Sequence, residues 1–135
     1  MLVVLDANIF VSAAIRPTSI ARAVVQAGIA GRFDYAVCPT LLDEVVDVLG
    51  RQKISRLLPH DAAARFVVDV RGRARLETDP PNPPRVSRDP RDDYLVALAV
   101  SVGADAVVTG DADLLDLSDP PVPIMSLRSF VEALG

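Results

Sequence analysis

The chain is poor in the residues that most often mark a covalent scaffold or a catalytic centre. It has one cysteine, Cys38, and one histidine, His60, in 135 residues. A single thiol closes no intrachain disulfide and builds no cysteine-ligated zinc site. A single imidazole excludes His-rich metal sites and argues weakly against a Ser-His-Asp triad. Aromatic residues make up 4% of the chain and tryptophan is absent, so base stacking has little to offer a nucleic-acid ligand. Lysine occurs once, at Lys53. No stretch reaches the roughly 18 consecutive apolar residues of a membrane helix. The opening MLVVLDANIF has no basic flank and carries an aspartate inside its apolar run, unlike a secretory signal. A cytoplasmic protein with no membrane association is the expectation.

Half of the chain is apolar and 24% is charged, a globular balance. The length suits one domain, residues 1–135. The charges are uneven in kind: 15 Asp against 3 Glu, and 13 Arg against that one Lys. A GC-rich genome is the simpler reading of the arginine excess. Aspartate favours caps, turns and metal sites over helix interiors. With a net charge of −4, a polyanion would have to be held by local arginines or by bound cations.

Hydrophobic patterning predicts alternating strands and helices. Leu2 to Leu5 reads as a buried strand ending at Asp6, and Ala7 to Ile15 as a helix. Thr18 is the expected cap of a second helix, Ser19 to Ala30, whose stripe is Ile20, Val24, Ala27 and Ile29 and which stops at Gly31. Phe33 to Val37 is the next strand. Thr40 is the expected cap of a helix closing at Gly50. Gln52 to Leu58 suits a further short helix. Asp61 starts one running from Ala62 to about Gly72, with Phe66, Val67 and Val70 on one face. Arg75 to Thr78 suits a short strand. Asp79 to Pro90 carries five prolines and is expected to be an ordered surface loop. Arg91 to Val102 is a strongly apolar helix ended by Gly103. Ala106 to Thr109 is a strand, followed by a short helix through Leu117. Pro123 to Met125 and Leu127 to Leu134 close the chain as strand and helix. Continuous apolar strands alternating with helices suit a parallel sheet covered on both faces.

In such sheets, sites form at the carboxyl ends of the strands. Asp6 directly follows the first strand. Asp111 lies two residues beyond Thr109. Glu44 falls in the first turns of the helix after strand two, and Asp92 and Asp93 open the helix that leads to the Asp111 strand. Each has an ordinary reading alone: Asp6 as an N-cap, Asn8 as a turn residue, Glu44 as a solvated helix residue, Asp92 and Asp93 as first-turn acids, Asp111 and Asp113 as turn and cap. Those readings do not account for four segments delivering acids to one edge. Two carboxylates ~4 Å apart repel by about 4 kcal/mol at an effective dielectric of 20. The crowding is relieved by protonation or by a cation. An all-oxygen set favours Mg²⁺ or Mn²⁺, which can activate water and stabilise the leaving oxygen of a phosphodiester.

The opening Val4-Leu5-Asp6-Ala7-Asn8, Glu44 within PTLLDEVVDVL, and the run RDPRDDYLVALAVSVGADAVVTGDADLL from Arg88 to Leu115 together resemble the PIN-domain family. The likeness covers essentially the whole chain and is greatest to the VapC-like toxins of toxin–antitoxin systems. Many of those toxins carry an aromatic residue where this chain has Leu114-Leu115. The resemblance implies a three-layer α/β/α fold around a parallel sheet of order 3-2-1-4-5. It implies a ribonuclease using Mg²⁺ or Mn²⁺ held by Asp6, Glu44, Asp93 and Asp111, with Asp93 preferred to Asp92 on its spacing to the TGD aspartate. Asn8, Thr109, Asp113 and Asp92 would line the site. It further implies a homodimer and a small cognate antitoxin.

Arg16, Arg88 and Arg91 are candidates for holding the RNA substrate, and Arg71, Arg73 and Arg75 form another basic patch; solvated surface is the commoner use of any one of them. The alternative is a catalytically weak PIN module that binds nucleic acid or protein. A receiver domain would need a lysine after its last strand. A haloacid-dehalogenase-type phosphotransferase would need DxD where this chain has Asp6 and Asn8. A P-loop domain would need GxxxxGK[ST]. None of these patterns is present.

Overall fold

The computed structural model describes residues 1–81 and 90–135, with the backbone alone at 90–92. Eight helices and five strands are found among the described residues, in the order β1 (Leu2–Leu5), α1 (Ala7–Ile15), α2 (Ile20–Ile29), β2 (Asp34–Val37), α3 (Pro39–Gly50), α4 (Gln52–Ser55), α5 (Ala62–Arg73), β3 (Arg75–Leu76), α6 (Pro90–Val102), β4 (Ala106–Val108), α7 (Ala112–Leu115), β5 (Ile124–Met125) and α8 (Leu127–Leu134). The strands form one sheet of order β3-β2-β1-β4-β5, and every pairing is parallel. The α/β/α architecture and strand order are those the sequence led us to expect.

The order places β1 in the centre. Val3 pairs with Tyr35 of β2 on one side; Val3, Val4 and Leu5 pair with Ala106, Val107 and Val108 of β4 on the other. The chain first builds outward through β2 and β3, then returns across β1 to add β4 and β5. That reversal makes the β1–β4 seam the switch point, where the carboxyl ends of an open sheet part to form a crevice.

Successive strand side chains point to opposite faces. Val3, Val4 and Leu5 are nevertheless all buried, as are Ala36, Val37, Val107 and Val108. Both faces are therefore covered, which explains why these strands read as unbroken apolar runs. Helix α6 packs on β1 and β4, α1 packs on α2 and α3, and α8 packs on α2. An aromatic cluster closes the far side: Phe33 meets Phe130 edge-on at 5.0 Å between ring centroids. The Tyr35 hydroxyl donates to the backbone carbonyl of Val70, tying β2 to α5.

Several boundaries differ from the patterning. Ser19, not Thr18, caps α2, its hydroxyl accepting the N–H of Arg22 at 3.1 Å. Ile20 of the expected stripe is 50% exposed, while Val24 is buried. Phe33 precedes β2 and packs as a side chain rather than as a strand member. Thr40 does not cap α3. The helix starts at Pro39 with Cys38 in the cap position and no local side-chain cap; the cap comes from Asp79, whose Oδ1 accepts the N–H of Thr40 at 2.9 Å. Proline at the first position removes one orphan N–H, and a distant carboxylate satisfies another. Asp61 precedes α5 in a left-handed conformation and makes no side-chain cap. β3, β4, β5, α4 and α7 are each shorter than expected. α6 begins at Pro90, one residue early. Most of the proline-rich segment, 82–89, lies outside the described residues. Gly31 and Gly103 both take positive φ where α2 and α6 end, which glycine does without steric cost.

Two outcomes are expected from this packing. A Cβ on Gly28 would lie 2.9 Å from the Phe33 ring and 3.0 Å from that of Tyr35. Gly28→Ala should therefore destabilise the fold by ~1–3 kcal/mol in urea unfolding, despite alanine's better helix propensity. Asp79 is held below its ordinary 3.8, chiefly by the Thr40 N–H. A depressed carboxylate stabilises the fold above its unfolded-state value and loses that contribution as pH falls through the folded-state value. Asp79→Ala should cost about 1 kcal/mol or less near neutrality, given the side chain's exposure, and the difference from wild type should close in acid.

Candidate functional site

The β1–β4 switch point is where the sequence-predicted acids begin to converge. Asp6 leaves β1 with extended backbone and caps α1. Its Oδ1 accepts the N–H of Asn8 at 3.0 Å. Its own N–H continues the sheet ladder to the Val108 carbonyl at 3.0 Å. The cap reading of Asp6 is thus correct, yet it uses only one carboxylate oxygen. The other, Oδ2, accepts the Thr109 hydroxyl at 2.6 Å. Asp6 is 7% exposed and Thr109 is fully buried.

Thr109 links three residues. Its Oγ1 donates to Asp6 and accepts the N–H of Asp111 at 3.0 Å, while its N–H donates to the Met125 carbonyl at 3.0 Å. Asp111 caps α7 through Oδ1, which accepts the N–H of Asp113 at 2.8 Å. The ends of β1 and β4 are therefore laced together by one buried hydroxyl, which donates to the Asp6 carboxylate and accepts the Asp111 backbone N–H.

Glu44 is half-buried on α3. The hydroxyl of Tyr94, on α6, donates to its Oε2 at 2.6 Å. Asp93 precedes Tyr94 and is 1% exposed. Burial, followed by the bond to Glu44 and the Glu44 charge, pushes the Tyr94 phenol well above its ordinary value; Cys38 and Asp6 add to the shift. The phenol therefore stays protonated, and it lies within electrostatic reach of both Glu44 and Asp6. The neighbouring Cys38 thiol is pushed up to about 11, mainly by burial, so it is not a thiolate nucleophile near neutral pH.

Asn8 and Asp113 are exposed at the rim. Arg16 caps the carboxyl end of α1, roughly 15 Å of helix rise from Asp6. Arg88 and the side chains of Arg91 and Asp92 lie outside the described residues.

Among the described residues, the ion pairs join Arg51 to Asp47, His60 to Asp61 and Arg75 to Glu77. No arginine or lysine neutralises Asp6, Glu44 or Asp111 there. Also among the described residues, no three or more Asp, Glu, His or Cys side chains already converge as a metal cage. The donor set fits a small, hard divalent cation in kind, being carboxylate oxygen throughout. Tyr94 and Asp79 were not singled out in the sequence. Tyr94 hides in an apolar helical run, and its adjacency to Asp93 was the only available signal.

The chain matches a family model for the PIN domain over residues 2–113. The chain belongs to the PIN-domain family, whose members are generally nucleases. Among solved structures, it is similar to PAE2754 from Pyrobaculum aerophilum: TM-score 0.68, 22% identity, covering 99% of this chain and 89% of that one. It is also similar to VapBC2 from Rickettsia felis bound to a DNA fragment from its promoter: TM-score 0.62, 12% identity, covering 93% of this chain and 98% of that one. At those identities the likeness is one of fold. No curated protein sequence matches the chain.

Replacing Thr109 by valine keeps the shape and removes the hydroxyl. The Asp111 N–H and Asp6 Oδ2 then lose their partner in a buried setting, at a cost of about 1–3 kcal/mol. Thr109→Val should lower the urea midpoint accordingly, and Thr109→Ser should recover most of the loss.

Proposed function

We propose that the chain is a ribonuclease dependent on Mg²⁺ or Mn²⁺ and the toxin of a toxin–antitoxin pair. The observation that carries the reading is the hydroxyl-bridged pair Asp6 and Asp111 at the β1–β4 switch point, with Glu44 nearby through Tyr94 and no protein cation on any of the three among the described residues. Family membership supports hydrolysis of a nucleic acid. The likeness to the VapBC2 complex supports a small antitoxin as partner.

Asp6, Asp93, Asp111 and Glu44 would hold the ion, with Asn8, Asp92, Thr109 and Asp113 lining the crevice. When bound, the ion supplies water activation and charge stabilisation at the leaving oxygen. The chain's own part is positional. Thr109 fixes the Asp6 carboxylate and the α7 cap in one register, and the fold of β1 against β4 excludes water from beneath them. Arg16, Arg88 and Arg91 are the groups proposed to grip phosphates, because a guanidinium donates two parallel hydrogen bonds to an oxyanion. Hydrolysis would leave a 5′-phosphate and a 3′-hydroxyl. A homodimer is part of the same proposal. Action on RNA in the cytoplasm is also part of it; no described helix is long and apolar enough to cross a membrane.

A second reading, a PIN module that binds without cutting, is favoured by one observation: no preformed cage of three ligands exists among the described residues. Cleavage of an RNA panel with and without Mn²⁺ separates the two. Wild type should cut only with the metal. Asp6→Asn keeps the α1 cap through its one oxygen and loses the acceptor of the Thr109 hydroxyl; it should fold, with stability lower by about 1–3 kcal/mol, and the rate should fall about a hundredfold or more. A fully active Asp6→Asn protein removes Asp6 from the mechanism, and a wild type that binds no Mn²⁺ and cuts nothing supports the binding module.

A further inference from the structure

We propose that Tyr94 is a positioning residue for Glu44, its hydroxyl holding Oε2 so that Oε1 is the oxygen presented to a divalent cation. The inference rests on the metal-dependent reading above and deepens it. Glu44 sits half-exposed on α3, where three side-chain torsions would otherwise be free to turn it to solvent. The 2.6 Å bond from Tyr94 removes that freedom and is of the short, charge-assisted kind. Oε1 has no partner among the described residues, so the two oxygens have distinct environments.

The chemistry of the donor matters as much as its reach. An arginine or lysine in the same place would orient Glu44 but would also neutralise it. A phenol orients it and leaves its charge available. A phenol is neutral at ordinary pH, so it adds no competing charge. Thr109 treats Asp6 in the same way, holding Oδ2 with a neutral hydroxyl at 2.6 Å. Two acids on different elements are therefore each aimed by an uncharged O–H and paired with no cation among the described residues. Helix α6 delivers both Asp93 and the hydroxyl that orients Glu44, so its placement sets two of the four acids at once.

The test is Mn²⁺ titration calorimetry on the full chain for wild type, Tyr94→Phe, Glu44→Gln and the double variant, with melting temperatures alongside. Tyr94→Phe should fold and bind Mn²⁺ at least about tenfold more weakly, the usual cost of losing a partner behind a metal ligand. Adding Tyr94→Phe to Glu44→Gln should change affinity no further, because the hydroxyl acts through Glu44 alone. Wild-type affinity in Tyr94→Phe overturns the assignment. So does an equal loss in both backgrounds, which would mean the hydroxyl acts on something other than Glu44. A Tyr94→Phe protein that fails to fold overturns it too, since a hydroxyl acting only on Glu44 leaves the ring's packing intact. A wild type that binds no Mn²⁺ sinks the metal-dependent reading itself and this inference with it, whereas tight wild-type binding with an unaffected Tyr94→Phe sinks the inference alone.

Discussion

The hydrogen bond from Thr109 to Asp6 joins residues 103 positions apart and is the constraint on which the rest of the site depends. It exists only because β1 and β4 lie side by side, and they do so only because the chain reverses direction after β3. A buried carboxylate is expensive unless its oxygens are satisfied. Asp6 meets that requirement with one backbone N–H and one hydroxyl, both neutral. The cost of burial is thereby reduced with no arginine or lysine on Asp6 among the described residues. The fold spends its most central strand on placing a carboxyl group at the carboxyl end of the sheet.

Two structural devices recur around that carboxyl group. Helices are capped by the same carboxylates that face the crevice, as at Asp6 for α1 and Asp111 for α7. One oxygen serves the helix, and the residue remains anchored whatever the second oxygen does. Acids are also aimed by hydroxyls instead of cations, as Thr109 does for Asp6 and Tyr94 for Glu44. The arginine-rich composition makes this more telling. Guanidinium groups are abundant in the chain, yet the ion pairs among the described residues join exposed side chains such as Arg51 and Asp47. Pairs of that kind contribute little to stability, and among the described residues none of them involves Asp6, Glu44 or Asp111.

The same economy shapes α3. Its cap is supplied by Asp79, from beyond β3, and not by a residue at its own start. The helix that carries Glu44 is therefore tied at its amino end to the segment following β3 and at its second turn to α6 through Tyr94. Family membership supplies the class of chemistry for such an edge; the local hydrogen bonds account for how individual acids are held.

Much of this was legible in the order of residues. Unbroken β-branched runs such as Leu2–Leu5 and Ala106–Val108 marked strands buried on both faces, and the glycines at 31 and 103 marked helix ends. Those signals are local, because pleat, periodicity and left-handed backbone are properties of short segments. The acids Asp6, Glu44, Asp93 and Asp111 could be nominated from their places after strands and in early helical turns. What the sequence by itself determined was this alternation, and with it which acids follow a strand or open a helix. Tertiary structure alone decided the partners. That Thr109 would bridge Asp6 and Asp111, that Tyr94 would reach Glu44, and that Asp79 would cap a helix starting forty residues earlier all depend on distances between segments far apart in the chain. No periodicity encodes such distances; they are set when the strands choose their neighbours.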